Sequence, residues 1–347
     1  MKKILAVVLV LLLTIPMVFA QNIDAAGELA ALTNYFKATD FKLDAADAVL
    51  AFAQNGHLFD EGIVMEDGFP DIAGNVDDAY GSKYGFAYKV FVKALALGVD
   101  PTSIYSGIDP IQMIIDSQDP ATGLLGGSEY NHWFCMLALE AAGAAYDRNA
   151  AIQYLLDTQD ADGGWCGAWG ADPDSSAAAA IILSRFTSTA GVSDALDEYF
   201  DFVKDQQNLD GTVNGWGAPS SSSTFYTICA LVDCGEDVFS DDYNQIGNSI
   251  TKFKNADGSY SMGYADGVED GFSTTQAVVA LSTLKNGKSP FVELMTVKSF
   301  AAQTAERARI AQEEAEAREK ARLEELARQE AEKAAAEKKK NPQTGEK

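Results

Sequence analysis

Gln159-Asp160-Ala161-Asp162-Gly163-Gly164-Trp165 is the key to this chain, because worn copies of it flank it on both sides. Upstream, SQDPATGLLGG holds Gln118 and Gly126-Gly127. Downstream, DQQNLDGTVNGW holds Gln206, Asp210-Gly211 and Trp216, and FKNADGSYSMGY holds Asn255, Asp257-Gly258 and Tyr260. Gln54-Asn55-Gly56 reads as a degraded first copy. The anchors Gln118, Gln159 and Gln206 are 41 and 47 residues apart, and 48 more reach Lys254. A period of this length implies stacked helix pairs. Within each copy, Asp-Gly supplies a turn with positive φ, the glutamine can bond carbonyls left free at a helix end, and Trp165 or Trp216 covers the junction with the next helix.

Two kinds of helical segment lie between the copies. Residues 85–98, 131–143, 175–186, 224–235 and 273–287 are small and apolar on every side, which marks buried helices. Several end in glycine, at Gly98, Gly143, Gly235 and Gly287, as left-handed caps require. Residues 109–119, 149–160, 194–207 and 241–254 carry charged faces and read as a solvent-facing layer. Asp109 before Pro110 suits a helix start. With 23–36 as the first inner helix, 45–54 as the first outer one and Phe291 onward as the last outer one, six hairpins close into a barrel. The expected fold is all-α, an (α/α)6 toroid of helical hairpins followed by a long charged single helix.

Four regions follow from composition. Residues 1–20 have Lys2-Lys3, an apolar run from Ile4 to Leu13 and Val18-Phe19-Ala20 before Gln21, the pattern of a secretory signal peptide. The run is too short for a permanent membrane span, so the membrane is met only during export. Residues 21–300 form the toroid domain and carry most of the charge. With 1–20 and the balanced tail set aside, 13 basic residues face 40 acidic ones, a net of −27. Such a surface repels nucleic acid and anionic lipid. Residues 301–340 are almost wholly Ala, Glu, Lys, Arg and Gln, with Glu314, Glu316 and Glu324 each four residues before a cation. This region reads as a solvated helical spacer, with a coiled coil as second choice because Ile310, Leu323 and Leu326 are too few for a heptad seam. Cys229 and Cys234, five apart on one helix, are too distant to bridge, and the cysteines read as buried free thiols.

The Gln, Asp-Gly and Trp pattern resembles the QW-type repeat of the terpenoid cyclase and protein prenyltransferase α/α-toroid superfamily, over roughly residues 22–300. That superfamily also contains cobalamin carriers and complement-type thioester domains. Residues 341–347, NPQTGEK, are similar to the sortase-recognition pentapeptide of Gram-positive surface proteins, with Asn341 in place of leucine. This resemblance implies Thr344 as the attachment point, sortase and peptidoglycan as partners, and an extracellular location on the cell wall.

In such a toroid the inner helices run parallel and their N-termini converge on one mouth. Polar clusters at Glu129-Tyr130-Asn131, Asp172 to Ser176, Ser221 to Thr224 and Ser273 to Thr275 can cap their own helices. They can also ring a ligand together with Asp174 and the aromatics Tyr130, Trp133, Trp165, Trp169, Trp216, Phe225 and Tyr226. Polar groups over an aromatic wall suit a small molecule or glycan. The resemblance implies three enzyme chemistries, each with a departure here. A protonating cyclase has Asp-x-Asp-Asp, and this chain has Asp172-Pro173-Asp174-Ser175, leaving Asp172 and Asp174 as the catalytic candidates. A zinc prenyltransferase needs Asp, Cys and His; His132 and Cys135 supply half a site at most and read as packing residues. A thioester domain needs Cys-Gly-Glu-Gln, and Cys234-Gly235-Glu236 is followed by Asp237. No metal or cofactor is implied. The leading expectation is therefore an exported, wall-attached, non-catalytic surface binding module for a small molecule or glycan. An isoprenoid-processing enzyme and a structural or adhesive protein are the alternatives.

Overall fold

The computed structural model describes residues 22–38, 46–57, 109–167 and 170–296, with most of 309–333. The signal-peptide segment, residues 85–98, Trp169 and the sorting-like tail with Thr344 lie outside the described residues. Along the chain come α1 (Ala25–Ala38), α2 (Ala46–Gln54), α3 (Pro110–Asp116), α4 (Glu129–Ala142) and α5 (Arg148–Asp157). A two-residue hairpin of β1 (Cys166–Gly167) and β2 (Gly170–Ala171) precedes α6 (Pro173–Leu183) and α7 (Val192–Gln206). A second hairpin, β3 (Asn214–Gly215) with β4 (Ala218–Pro219), precedes α8 (Ser221–Cys234). After α9 (Ile246–Ser249) and a 3-10 turn come α10 (Gly271–Asn286) and α11 (Pro290–Thr296).

The molecule is an α/α toroid. α4, α6, α8, α10 and α2 pack side by side in that order as an inner ring. Their small residues permit this: the run Ala177 to Ala180 in α6 is buried, as are Ala277 and Ala280 in α10. Helices α1, α5 and α7 bury one stripe each, such as Val192, Leu196, Tyr199 and Phe202 in α7.

The repeat is explained atom by atom. Its aspartates accept a backbone N–H two residues on, at Asp119, Asp162, Asp210 and Asp257. Its glycines, Gly123, Gly163, Gly211 and Gly258, all have φ between 83° and 94°. Its glutamines reach across to the next outer helix: Gln118 Nε2 to the Asp147 carbonyl at 2.8 Å, Gln159 to Ala195 at 2.8 Å and Gln207 to Tyr243 at 2.7 Å. The third anchor is therefore Gln207, not the expected Gln206. The glutamine also ties successive hairpins together, a longer reach than its own helix end. Past the turn, one backbone N–H enters the inner helix, where it meets His132, Ser176, Thr224 or Thr274 at 2.8–3.0 Å.

The structure revises three helix assignments. In the first hairpin α1 is outer, burying only Leu29, Leu32 and Phe36, while α2 is inner and buries Ala48 through Phe52. Outer precedes inner in every described pair. Residues 241–254 do not form one helix, because Asn244 and Gln245 both take positive φ (45° and 54°) and break it into short turns. α11 is not an outer helix: it packs against α2, α4, α6 and α10 together, which places it across the C-terminal end of the inner ring. Residues 315–329 are helical and exposed throughout. Among the described residues no helix is long and apolar enough to cross a membrane.

Candidate functional site at the mouth of the ring

Each described inner helix after α2 starts at a side-chain cap. Ser128, Asp172, Ser220 and Asp270 accept the backbone N–H of Asn131, Ser175, Ser223 and Ser273. The capping role anticipated for these clusters accounts for Asp172 directly. The first turns then join side to side. Ser221 Oγ donates to Ser273 Oγ at 2.7 Å, Ser222 Oγ to Gln276 Oε1 at 2.7 Å, and Tyr226 Oη to Asp47 Oδ2 at 2.8 Å. A polar belt therefore runs around the mouth through α8, α10 and α2.

Asp174 stands in this belt on α6. Its Oδ1 is enclosed and has no hydrogen-bond partner, although the residue as a whole is partly exposed. Burial raises its pKa to about 6, helped by the charge of Asp172, while the hydroxyls of Ser223 and Ser222 favour the ionised form and limit the rise. Partial burial of the Tyr130 phenol raises its pKa, with the charges of Asp47, Asp174 and Asp172 adding to the effect, although the residue as a whole is 57% exposed.

The aromatic candidates separate. Tyr130 is exposed at the rim, edge-on to Trp133 at 5.7 Å. Trp133 is buried with its Nε1 unpartnered. Tyr226 faces the ring, stacked on Phe291 of α11 at 6.1 Å. Trp165 leaves the ligand set: it is buried and its Nε1 donates to the Leu155 carbonyl at 2.7 Å, closing α5 against α6. Phe225 also leaves it, held edge-on between Phe253 and Tyr260 in the wall. Trp216 does not cover a helix junction, since the positions equivalent to Trp165 are Val213 and Tyr260, each bridged to its repeat anchor. It sits instead at the tip of the β3–β4 hairpin, 93% exposed. Ser222 belongs to the anticipated Ser221 to Thr224 cluster, whereas Asp47 and Gln276 are belt members that the sequence does not reveal. Asp47 is hidden because α2 reads as an outer helix, and Gln276 because a glutamine within a buried helix carries no motif.

Residues 134–317, more than half of the chain, match the prenyltransferase alpha-alpha toroid domain. The chain belongs to this family. No curated protein matches the sequence. Among solved structures, the apo form of the type II terpene cyclase MstE from Scytonema is 12% identical, with a TM-score of 0.52 over 76% of this chain and 99% of that one. A variant of that cyclase in complex with its substrate geranylgeranyl dihydroxybenzoate is 13% identical, with a TM-score of 0.51 over 76% and 97%. Candida albicans protein geranylgeranyltransferase-I complexed with GGPP is 10% identical, with a TM-score of 0.51 over 82% and 100%. At these identities the likeness is one of fold.

For a prenyltransferase toroid, the zinc question is answered by His132. Its Nδ1 accepts the Leu125 N–H at 2.9 Å and its Nε2 donates to the Ala151 carbonyl at 3.0 Å, so both nitrogens are committed and the ring is neutral. Burial lowers its pKa to about 4. Cys135 is buried too, and burial drives its thiol well above the ordinary range. Neither residue fits a metal ligand. No cluster of three or more His, Cys, Asp or Glu able to hold a metal occurs among the described residues. Cys135, Cys229 and Cys234 are free thiols.

Proposed function

We propose that this toroid processes an isoprenoid chain, with Asp174 as the acid that protonates it. The observation that carries this reading is the enclosed, unbonded Oδ1 of Asp174, on the first turn of an inner helix, in a carboxyl that burial keeps partly neutral. Membership of the toroid family and the shared fold with a terpene cyclase and a geranylgeranyltransferase support it. In this scheme the Oδ1–H bond breaks and a C–H bond forms at a substrate double bond. The cation left on the substrate lies among the faces of Tyr130 and Tyr226, which attract positive charge, until a C–H bond beside it breaks and passes its proton to water, leaving an isomer of unchanged mass. Ser223 holds the carboxylate left behind, and the exposed edge of the residue admits water to reprotonate it. Ser175 stands where the cyclase motif has a second carboxylate, so Asp174 is a weaker acid than a paired one and turnover is slow.

The test is incubation of the mature chain with geranylgeranyl dihydroxybenzoate and with squalene, looking for isomers of unchanged mass. Turnover should fall at least ~100-fold in Asp174→Asn. It should also decline as pH rises through about 6, because the neutral carboxyl is the donor. Equal turnover in Asp174→Asn removes the assignment. One observation favours a second reading, a binding module that holds its ligand unchanged: Phe291 of α11 already occupies space inside the ring. Saturable retention without conversion would establish that reading instead.

We also propose that residues 1–20 direct export and that the 341–347 motif directs wall attachment at Thr344, on the strength of their order in the chain. Terminal peptide mapping of the secreted protein should find Gln21 at its start; retention of Lys2-Lys3 would refute export by this route.

A further inference from the structure

The large apolar side chains exposed on the described toroid lie at one end of it. Leu209 (95% exposed) and Trp216 (93%) belong to the connection before α8, Met262, Tyr264 and Val268 to the connection before α10, and Phe272 to the first turn of α10. Tyr130 begins α4 at the same end. The opposite end, where α11 packs, contributes none among the described residues. Single exposed apolar side chains are ordinary, whereas a one-sided group signals an interaction surface.

Two of these connections are joined into one surface. Tyr264 Oη donates to Asp210 Oδ2 at 2.7 Å, and the Ser221 N–H to the Met262 carbonyl at 2.8 Å. The hairpin tip adds a conformational cost. Trp216 has φ of 55° and Gly217 φ of 83°, so a bulky residue is held in the left-handed region only to project its indole into solvent.

The charge at this end is predominantly negative. The connections 117–128, 158–172, 207–220 and 254–270 together hold nine carboxylates and one cation, Lys254, which is paired with Glu28; Lys252, just before the last connection, pairs with Asp210 at 3.6 Å. The Ser259 hydroxyl and backbone N–H keep Asp257 below its ordinary pKa, and the Val268 N–H does the same for Asp266, so both stay ionised.

We propose that this end docks a cationic amphipathic polypeptide segment, whose apolar face covers the Leu209, Trp216 and Met262 patch while its basic residues meet the surrounding carboxylates. A second copy of the chain would set nine carboxylates against nine, and an anionic membrane would be repelled, whereas a basic partner satisfies both features. The inference does not depend on Asp174 or on isoprenoid chemistry.

The test titrates the mature chain with a synthetic amphipathic helix of lysine and leucine, followed by tryptophan emission, since Trp133 and Trp165 are buried and Trp216 is exposed. Saturable binding with a blue shift is expected. It should weaken at least ~10-fold between low and high salt, and ~10-fold or more in Leu209→Ser/Met262→Ser, whose exposed positions leave folding intact by circular dichroism. Three results would overturn the proposal: equal binding by that double variant, equal binding of the glutamate–leucine counterpart peptide, or a blue shift produced by phosphatidylcholine vesicles or self-association when the lysine peptide gives none.

Discussion

Asp233 and Asp174 are carboxyls that burial moves toward neutrality, and the two are put to different uses. Asp233, near the end of α8, accepts the Ser289 N–H at 2.7 Å and the Ser289 hydroxyl, and so caps the start of α11 from another helix. Burial raises its pKa from 3.8 to about 7, against the opposing effects of Ser289 and Arg185. The folded state therefore holds a proton that the unfolded chain releases. The stability from this group is complete below the unfolded value of 3.8 and is lost as pH rises to about 7. Melting temperatures of wild type should fall across that window more than those of Asp233→Asn; equal slopes would show that the carboxyl does not titrate in this way. Neither the burial nor the pairing of Asp233 is legible in the sequence, because its partner lies 56 residues away in a segment with no motif.

At the scale of the element, the turn glycines are legible and their separate costs are not. A Cβ on Gly163 would lie 2.2 Å from the Glu198 carbonyl oxygen, whereas one on Gly258 would meet nothing within 4 Å; their φ values, 87° and 94°, are alike. Gly258→Ala should therefore cost about 1–2 kcal/mol from backbone conformation alone. Gly163→Ala should cost about 3 kcal/mol or more, because α7 must also shift. Denaturant unfolding of the two variants checks this, and equal losses would mean that the close approach to α7 contributes nothing. The inner helices are readable because being apolar on every side means burial on every side. α1 misleads because its alanines and leucines resemble an inner helix, although only one stripe of it is covered.

For the whole molecule, α11 decides what the ring can hold. Phe291 is 2% exposed and stacks on Tyr226, and α11 touches four inner helices at once. The chain thus supplies part of its own interior, against a tyrosine whose hydroxyl belongs to the belt at the mouth. Phe291→Ala should lower stability by about 3–4 kcal/mol and leave a space able to take up a small apolar probe such as benzene, measured as a rise in melting temperature on adding the probe. A stable variant with no response to it would place Phe291 outside the packing that supports the ring. Sequence reading puts Phe291 in the outer layer because the hairpin rhythm continues that far, and rhythm does not show that the ring is already complete.

Residue type and order suffice for the period, the helix pairs, the acidic surface, the turn chemistry of the repeat and the polar first turns that meet at one mouth. These are local consequences: positive φ at glycine, capping by serine and aspartate, burial of segments without a polar face. Long-range packing was needed to place α2 in the inner ring, to make Gln207 and its counterparts link one hairpin to the next, to enclose Trp165 while Trp216 stands in solvent, and to set α11 across the ring. Composition sets how much apolar surface a segment must bury. Which neighbour buries it depends on contacts between residues far apart in the chain, which no local pattern encodes.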